Sequence, residues 1–168
     1  MTTRLDKTRF VALLDGHAAI LRKVSATYAY HAADRRDLIQ EMTLQLWKAY
    51  PSYDPARPFS TWMYRIALNV AISFLRGAGN PKRQALSLDE LGIDPVDATS
   101  QDEPDPRVAQ LRRFIDQLDP LNRALLLLYL DERSHRDIAE VLGISESNVG
   151  TKINRLKQRV REDLAEPA

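Results

Sequence analysis

Five residues near the C-terminus, Asn148, Thr151, Lys152, Arg155 and Arg159, are of the types that read base edges and neutralise phosphates. Arginine and asparagine can bond two acceptors or a donor–acceptor pair on a base edge, and lysine supplies a point charge. Spaced at 100° per residue, Asn148, Lys152, Arg155 and Arg159 fall within roughly 60° on a helix, with Thr151 at the border. A second set, Trp62, Arg65, Asn69, Ser73 and Arg76, recurs at helical steps on an otherwise apolar segment. An aromatic ring with cations and an amide on one stripe can stack on, and hydrogen-bond to, unpaired bases. Catalytic chemistry has no such support. The histidines, His17, His31 and His135, lie far apart with neither a zinc-protease spacing nor a glycine-rich phosphate loop beside them. The absence of cysteine excludes thiolate nucleophiles and cysteine-based zinc sites. The sequence therefore calls for no enzyme activity, cofactor or metal.

These residues need helices to hold them. Residues 148–160, NVGTKINRLKQRV, place Val149, Ile153, Leu156 and Val160 within roughly 60° of one another, an anchoring face distinct from the polar one. Just before them, Ser134 fits a helix cap and Gly143 a left-handed stop, with Ser145 capping the helix that follows. Ala139, Gly143 and Val149 have the spacing of a helix-turn-helix: a small residue at the crossing, a glycine at the turn and an apolar anchor beyond it. Two further helices precede it, one over residues 107–118 and one opened by Asp119 and Pro120. A solvated face on a structural helix is the plainer alternative for the polar residues.

Toward the N-terminus, residues 36–50, RDLIQEMTLQLWKAY, put Leu38, Met42, Leu46 and Ala49 along one side. Asp37, Gln40, Glu41, Leu44 and Trp47 lie opposite. Acids mixed with leucine and tryptophan suit a protein-docking surface; helical phase alone leaves Leu44 and Trp47 equally open to a place in the core. Residues 59–76, FSTWMYRIALNVAISFLR, are apolar almost all round apart from the Trp62 stripe, for which a tryptophan packed on an arginine is the structural alternative. The proline-rich loop YDPARP just ahead restricts its own backbone.

Charge is unevenly spread. The 168-residue chain has a net charge of only +1, yet five basic residues and no acid lie between Lys152 and Arg161. Residues 84–106 hold seven acids and no base. The expected architecture is all-α: two small helical domains, residues 1–80 and 107–165, joined by a flexible acidic linker at 81–106, the second domain a helix-turn-helix. No apolar run is long enough to span a membrane, and the N-terminus lacks a secretory pattern, which points to the cytoplasm.

DLIQE with LW, FSTWMYRIALN, the acidic stretch, LDPLNRALLLLYL and HRDIAEVLGISESNVGTKINRLKQ, in that order, resemble a bacterial RNA polymerase sigma factor. The type is the small, two-domain extracytoplasmic-function (ECF) group, with no N-terminal inhibitory segment and no intervening domain. The resemblance implies that Asp37, Gln40, Glu41, Leu44 and Trp47 face the β′ clamp coiled coil of core polymerase. It implies that the loop at residues 53–58 with Trp62, Arg65, Asn69 and Ser73 captures a flipped base and melts the minus-ten element. The helix with Asn148, Thr151, Lys152, Arg155 and Arg159 would enter the major groove of the minus-thirty-five element, while the first two helices of that domain pack on the β flap. The linker would thread the polymerase as a mimic of nucleic-acid charge. Members of the group are commonly sequestered by an anti-sigma factor, a further partner the resemblance brings with it. A stand-alone helix-turn-helix regulator is the alternative. Two departures stand out: Gly150 sits inside the recognition helix, where the family often has a bulkier or basic residue, and the 53–58 loop is proline-rich where related chains often carry glycine.

Overall fold

The computed structural model describes residues 4–77 and 105–165. Among these it holds eight α-helices, one short 3-10 turn and no strand. The chain divides into two compact units, one within Met1–Thr99 and one within Ser100–Ala168. Most of the acidic stretch lies outside the described residues.

The first unit comprises α1 (Arg4–Gly16), α2 (Ala18–Tyr28), α3 (Ala32–Ala49), the 3-10 turn Tyr50–Ser52 and α4 (Phe59–Gly77). Helices α2, α3 and α4 pack against one another. Leu21 and Val24 from α2, Leu38, Met42 and Leu46 from α3, and Met63, Tyr64 and Ala67 from α4 are almost wholly removed from water. Those α3 positions form the apolar side that helical periodicity selects. Three hydroxyls buried in this core are satisfied within their own helices. Ser25 donates to the Arg22 carbonyl at 3.0 Å, Thr27 to Lys23 at 2.7 Å and Thr43 to Ile39 at 2.8 Å, so their burial leaves no donor stranded. Phe10 carries α1 onto the end of α3, its ring 5.1 Å from that of Trp47 and 5.2 Å from that of Tyr50.

The second unit comprises α5 (Pro106–Asp116), α6 (Pro120–Leu130), α7 (His135–Leu142) and α8 (Glu146–Ala165), with α8 packed on the other three. The start of α5 differs from the expectation: Asp105, assigned by composition to the linker, is its cap, accepting the Arg107 N–H at 2.9 Å, and Pro106 is its first residue. At α6 the position is right and the bond is not. The Asp119 side chain takes the Asn122 amide instead of capping the backbone. Ser134 and Ser145 cap α7 and α8, each accepting an N–H at 3.0 Å, from Asp137 and Asn148. Gly143, at φ 71° and ψ 33°, closes α7 in the left-handed region that glycine enters without steric cost. Glu132 adopts a similar backbone (φ 58°) after α6, and the Arg133 N–H returns to the Leu128 carbonyl there. A helix end is thus built without the glycine that would announce it in sequence.

In both units an arginine grips the end of the preceding helix. Arg35, on α3, donates Nε to the Ala29 carbonyl at 2.9 Å and Nη2 to the Tyr30 carbonyl at 3.1 Å. Arg123, on α6, donates Nε to Leu118 at 3.0 Å and Nη2 to Asp116 at 2.9 Å. Carbonyls at helix C-termini lack intrahelical partners, and a guanidinium fork meets two at once.

The structure also accounts for the space at Gly150. A methyl group added there would meet the His135 ring at 3.7 Å, an ordinary contact. Gly150→Ala should therefore raise the stability of the second unit by about 0.5–1 kcal/mol through helix propensity alone. Chemical denaturation of the two proteins would show it, and a lowered midpoint would mean that the His135 side cannot accommodate the methyl group.

Candidate nucleic-acid interface

On α8, Val149, Ile153 and Leu156 are buried. Asn148, Thr151, Arg155 and Arg159 are exposed and Lys152 is half-buried, so the anchoring and polar faces separate as helical phase requires. The polar face is not uniform along its length. Thr151 donates its hydroxyl proton to the Ser147 carbonyl at 3.1 Å, which leaves the oxygen's two lone pairs as acceptors. The Arg159 guanidinium lies over the Phe114 ring at 5.9 Å, and Lys157 over Tyr129 at 5.0 Å. Arg159 is thus engaged by α5, and the outward set narrows to Asn148, Thr151, Lys152 and Arg155 on the N-terminal half of the helix. That half follows the Gly143 turn, the end a helix-turn-helix inserts into a major groove.

The same unit carries an apolar groove of about 290 Å³ between α5, α6 and α8, lined by Leu111, Tyr129, Leu130, Leu156 and Val160 among others, with Lys157 and Arg161 also in its wall. Leu130 is 53% exposed and Val108, on α5, 61% exposed.

In the first unit the stripe on α4 faces outward: Arg65, Asn69, Ser73 and Arg76 are all exposed. Trp62 departs from it. Half-buried, it sits in an aromatic cluster with Tyr53 at 5.0 Å, Phe59 at 5.3 Å and Tyr50 at 6.4 Å between ring centroids. Its neighbours are rings, where the structural alternative had an arginine, and its place in the cluster leaves only part of the indole for a base.

The expected docking face on α3 needs a larger correction. Leu44 is only 8% exposed and belongs to the core, and Trp47 is half-buried against Phe10 and stacked on Tyr50. At the Trp47 end the cover comes from α1, whose Phe10 ring lies 5.1 Å from the indole, so that part of the mixed flank is closed in the fold. Asp37 remains exposed, and Gln40 and Glu41 are half-buried. Gln45, which the sequence reading left out, donates to the Glu41 carboxylate at 3.1 Å. Its place one turn after Glu41 is the signal that could have found it. Glu41 and Gln45 line a groove of about 670 Å³ whose other wall, on α4, includes Ile66, Asn69, Val70 and Ser73. Residues expected to meet protein and residues expected to meet DNA thus share one opening, while Asp37 and Trp62 lie outside it.

Comparison with known proteins matches sigma-70 region 2 to residues 13–80 and sigma-70 region 4 to residues 109–160. The chain belongs to the sigma-70 family. Among individual relatives, the ECF RNA polymerase sigma factor SigL of Mycobacterium tuberculosis is 31% identical over 163 residues, covering 92% of this chain and 88% of SigL. SigE of Mycolicibacterium smegmatis, also an ECF sigma factor, is 26% identical over 162 residues, and the match spans 60% of its length. The fold is similar to that of the sigma factor RpoE of Bartonella quintana in its co-crystal structure with the anti-sigma factor NepR. The TM-score is 0.69 at 17% identity, with 99% of this chain and 100% of RpoE covered. This ECF sigma factor is thus a transcription initiation protein that works with RNA polymerase on promoter DNA. No helix among its described residues is long and apolar enough to cross a membrane.

Proposed function

We propose that residues 1–80 form the unit that docks to core RNA polymerase and opens the minus-ten element, that residues 107–165 form the unit that reads the minus-thirty-five element, and that residues 81–106 link them. Asp37, Gln40 and Glu41 meet the β′ clamp coiled coil, with Leu44 and Trp47 shaping that surface from beneath. Arg65, Asn69 and Ser73, beside the 53–58 loop, receive the unpaired non-template strand, with Trp62 as a partly covered platform. Asn148, Thr151, Lys152 and Arg155 enter the major groove, and Arg159 reaches at most the flanking backbone. The groove at Leu130 takes the β flap. The observation that carries this reading is the N-terminal half of α8, where Asn148, Thr151 and Arg155 are exposed and Lys152 is half-buried while Val149, Ile153 and Leu156 are buried. Work with core polymerase places the chain in the cytoplasm. RpoE's co-crystal structure with NepR supports an anti-sigma factor as the regulator here too.

The decisive experiment is transcription in vitro with purified core polymerase on a random promoter library. A sigma factor yields a conserved pair of elements; a stand-alone regulator yields none and footprints duplex DNA by itself. Lys152→Ala should weaken holoenzyme binding to all sequences alike and make the salt dependence shallower by about 0.9 in slope, the effect of one released counterion. An unchanged slope would remove Lys152 from the phosphate contacts.

A further inference from the structure

The loop between the 3-10 turn and α4 is folded on itself. The Tyr53 hydroxyl donates to the Arg57 carbonyl at 2.9 Å, across the loop. Inside that span, the Asp54 carboxylate accepts the Ala56 N–H at 2.9 Å, and the Arg57 N–H returns to the Asp54 carbonyl at 3.0 Å. Pro55 and Pro58 fix two further backbone angles. The Tyr53 ring is itself held: it stacks near Tyr50 (18° between planes) and meets Phe59 edge-on at 5.4 Å and Trp62 at 5.0 Å. Residues 54–58 are all exposed, so what this bonding orders is a surface loop and not part of the core. Burial of the phenol, with smaller contributions from Tyr50 and Asp54, raises its pKa above the ordinary tyrosine value, so the hydroxyl remains a donor throughout the neutral range.

We propose that the Tyr53 hydroxyl is the clasp that fixes the shape of the base-capturing loop, which makes Tyr53 a positioning residue for recognition of the unpaired minus-ten strand. The proposal rests on the assignment of this loop to base capture. Its physical basis is preorganisation: a loop already in its binding shape loses less conformational freedom when a base enters, and its shape selects which base fits. The ring supports the clasp from below and the hydroxyl closes it, so the two functions can be separated by removing one oxygen.

The test uses holoenzyme reconstituted from core polymerase and the full chain. The probe is a fluorescent single-stranded oligonucleotide carrying the non-template minus-ten sequence selected in the promoter library, with all four bases tried in turn at each of its positions. Tyr53→Phe keeps the ring and should weaken binding of the best sequence by about three- to tenfold, the range expected for one lost hydrogen bond. It should also narrow the ratio between best and worst base, which a merely structural role would leave unchanged. Asp54→Ala leaves every ring in place and should reproduce both effects, so it carries the test if Tyr53→Phe lowers the melting temperature. Wild-type affinity and base preference in both variants would overturn the clasp, as would a uniform loss with base preference unchanged. Asn69→Ala separates the two levels. If it weakens oligonucleotide binding where the loop variants do not, the clasp fails and base capture by this unit stands; if none of the three has an effect, both fail.

Discussion

Leu125→Ala should unfold the second unit at temperatures where the first is still intact. Leu125 is wholly buried on α6, among Leu128, Ile138 and Ile153 in the same core. Truncating such a side chain costs about 2–5 kcal/mol, because the lost transfer energy is joined by the cavity left behind. A unit of about sixty residues has roughly 3–9 kcal/mol in all, so little or nothing remains. The readout is built into the sequence, since both tryptophans, Trp47 and Trp62, belong to the first unit. Far-ultraviolet circular dichroism of the full chain should lose an early helical step, while the tryptophan fluorescence transition stays in place. The variant should still bind core polymerase and lose dependence on the minus-thirty-five element. A tryptophan midpoint that fell with the helical signal would mean the units do not fold independently.

Asn69→Ala should separate promoter opening from polymerase binding. The Asn69 side chain is exposed on α4, beside a groove, in a helix whose buried positions include Met63, Tyr64, Ala67, Leu68 and Ala71. Its replacement therefore removes a donor and an acceptor without opening the core, and alanine favours the helix. The loss of base recognition is roughly 1–3 kcal/mol, which falls on the step in which a base leaves the stack. Permanganate reactivity of thymines around the minus-ten element should drop on duplex promoters and recover largely on a template with a pre-melted bubble, where unpairing is already complete. Core binding through Asp37 and Glu41 should be unchanged. Undiminished permanganate reactivity on duplex DNA would leave the α4 stripe without a part in melting.

What could be read from the sequence divides along local and tertiary lines. The helix-turn-helix was legible because its signals are local: Ser134 and Ser145 cap, Gly143 turns, and Val149 and Ile153 recur at helical spacing. The exposed stripe on α4 was legible for the same reason, as a polar break in an apolar helix. Leu44 was not, because periodicity assigns a residue to a side of its own helix and cannot tell what covers that side. Trp47 shows the same limit, because the ring that meets it, Phe10 of α1, lies more than thirty residues away in the chain. Asp105 was hidden for the opposite reason. Its Asp-Pro signature is a good cap, but it ends a run of acids whose composition reads as unstructured. Arg159 shows a third limit: helical phase aligns it with Lys152 and Arg155, and the Phe114 ring 5.9 Å from its guanidinium is a tertiary neighbour that phase cannot reveal.

The arginines that grip the ends of α2 and α5 bond main-chain oxygens, and a main-chain oxygen is the same whatever residue carries it. The two arginine bonds therefore do not depend on which side chains stand at positions such as Tyr30 and Asp116, whereas Arg35 and Arg123 cannot yield to lysine, whose single ammonium lacks the two-pronged fork. The angle between successive helices is thereby uncoupled from the letters printed on the surface around it. For a protein whose surfaces must match one promoter and one set of partners, this is a source of evolvability: specificity can drift on a frame that does not.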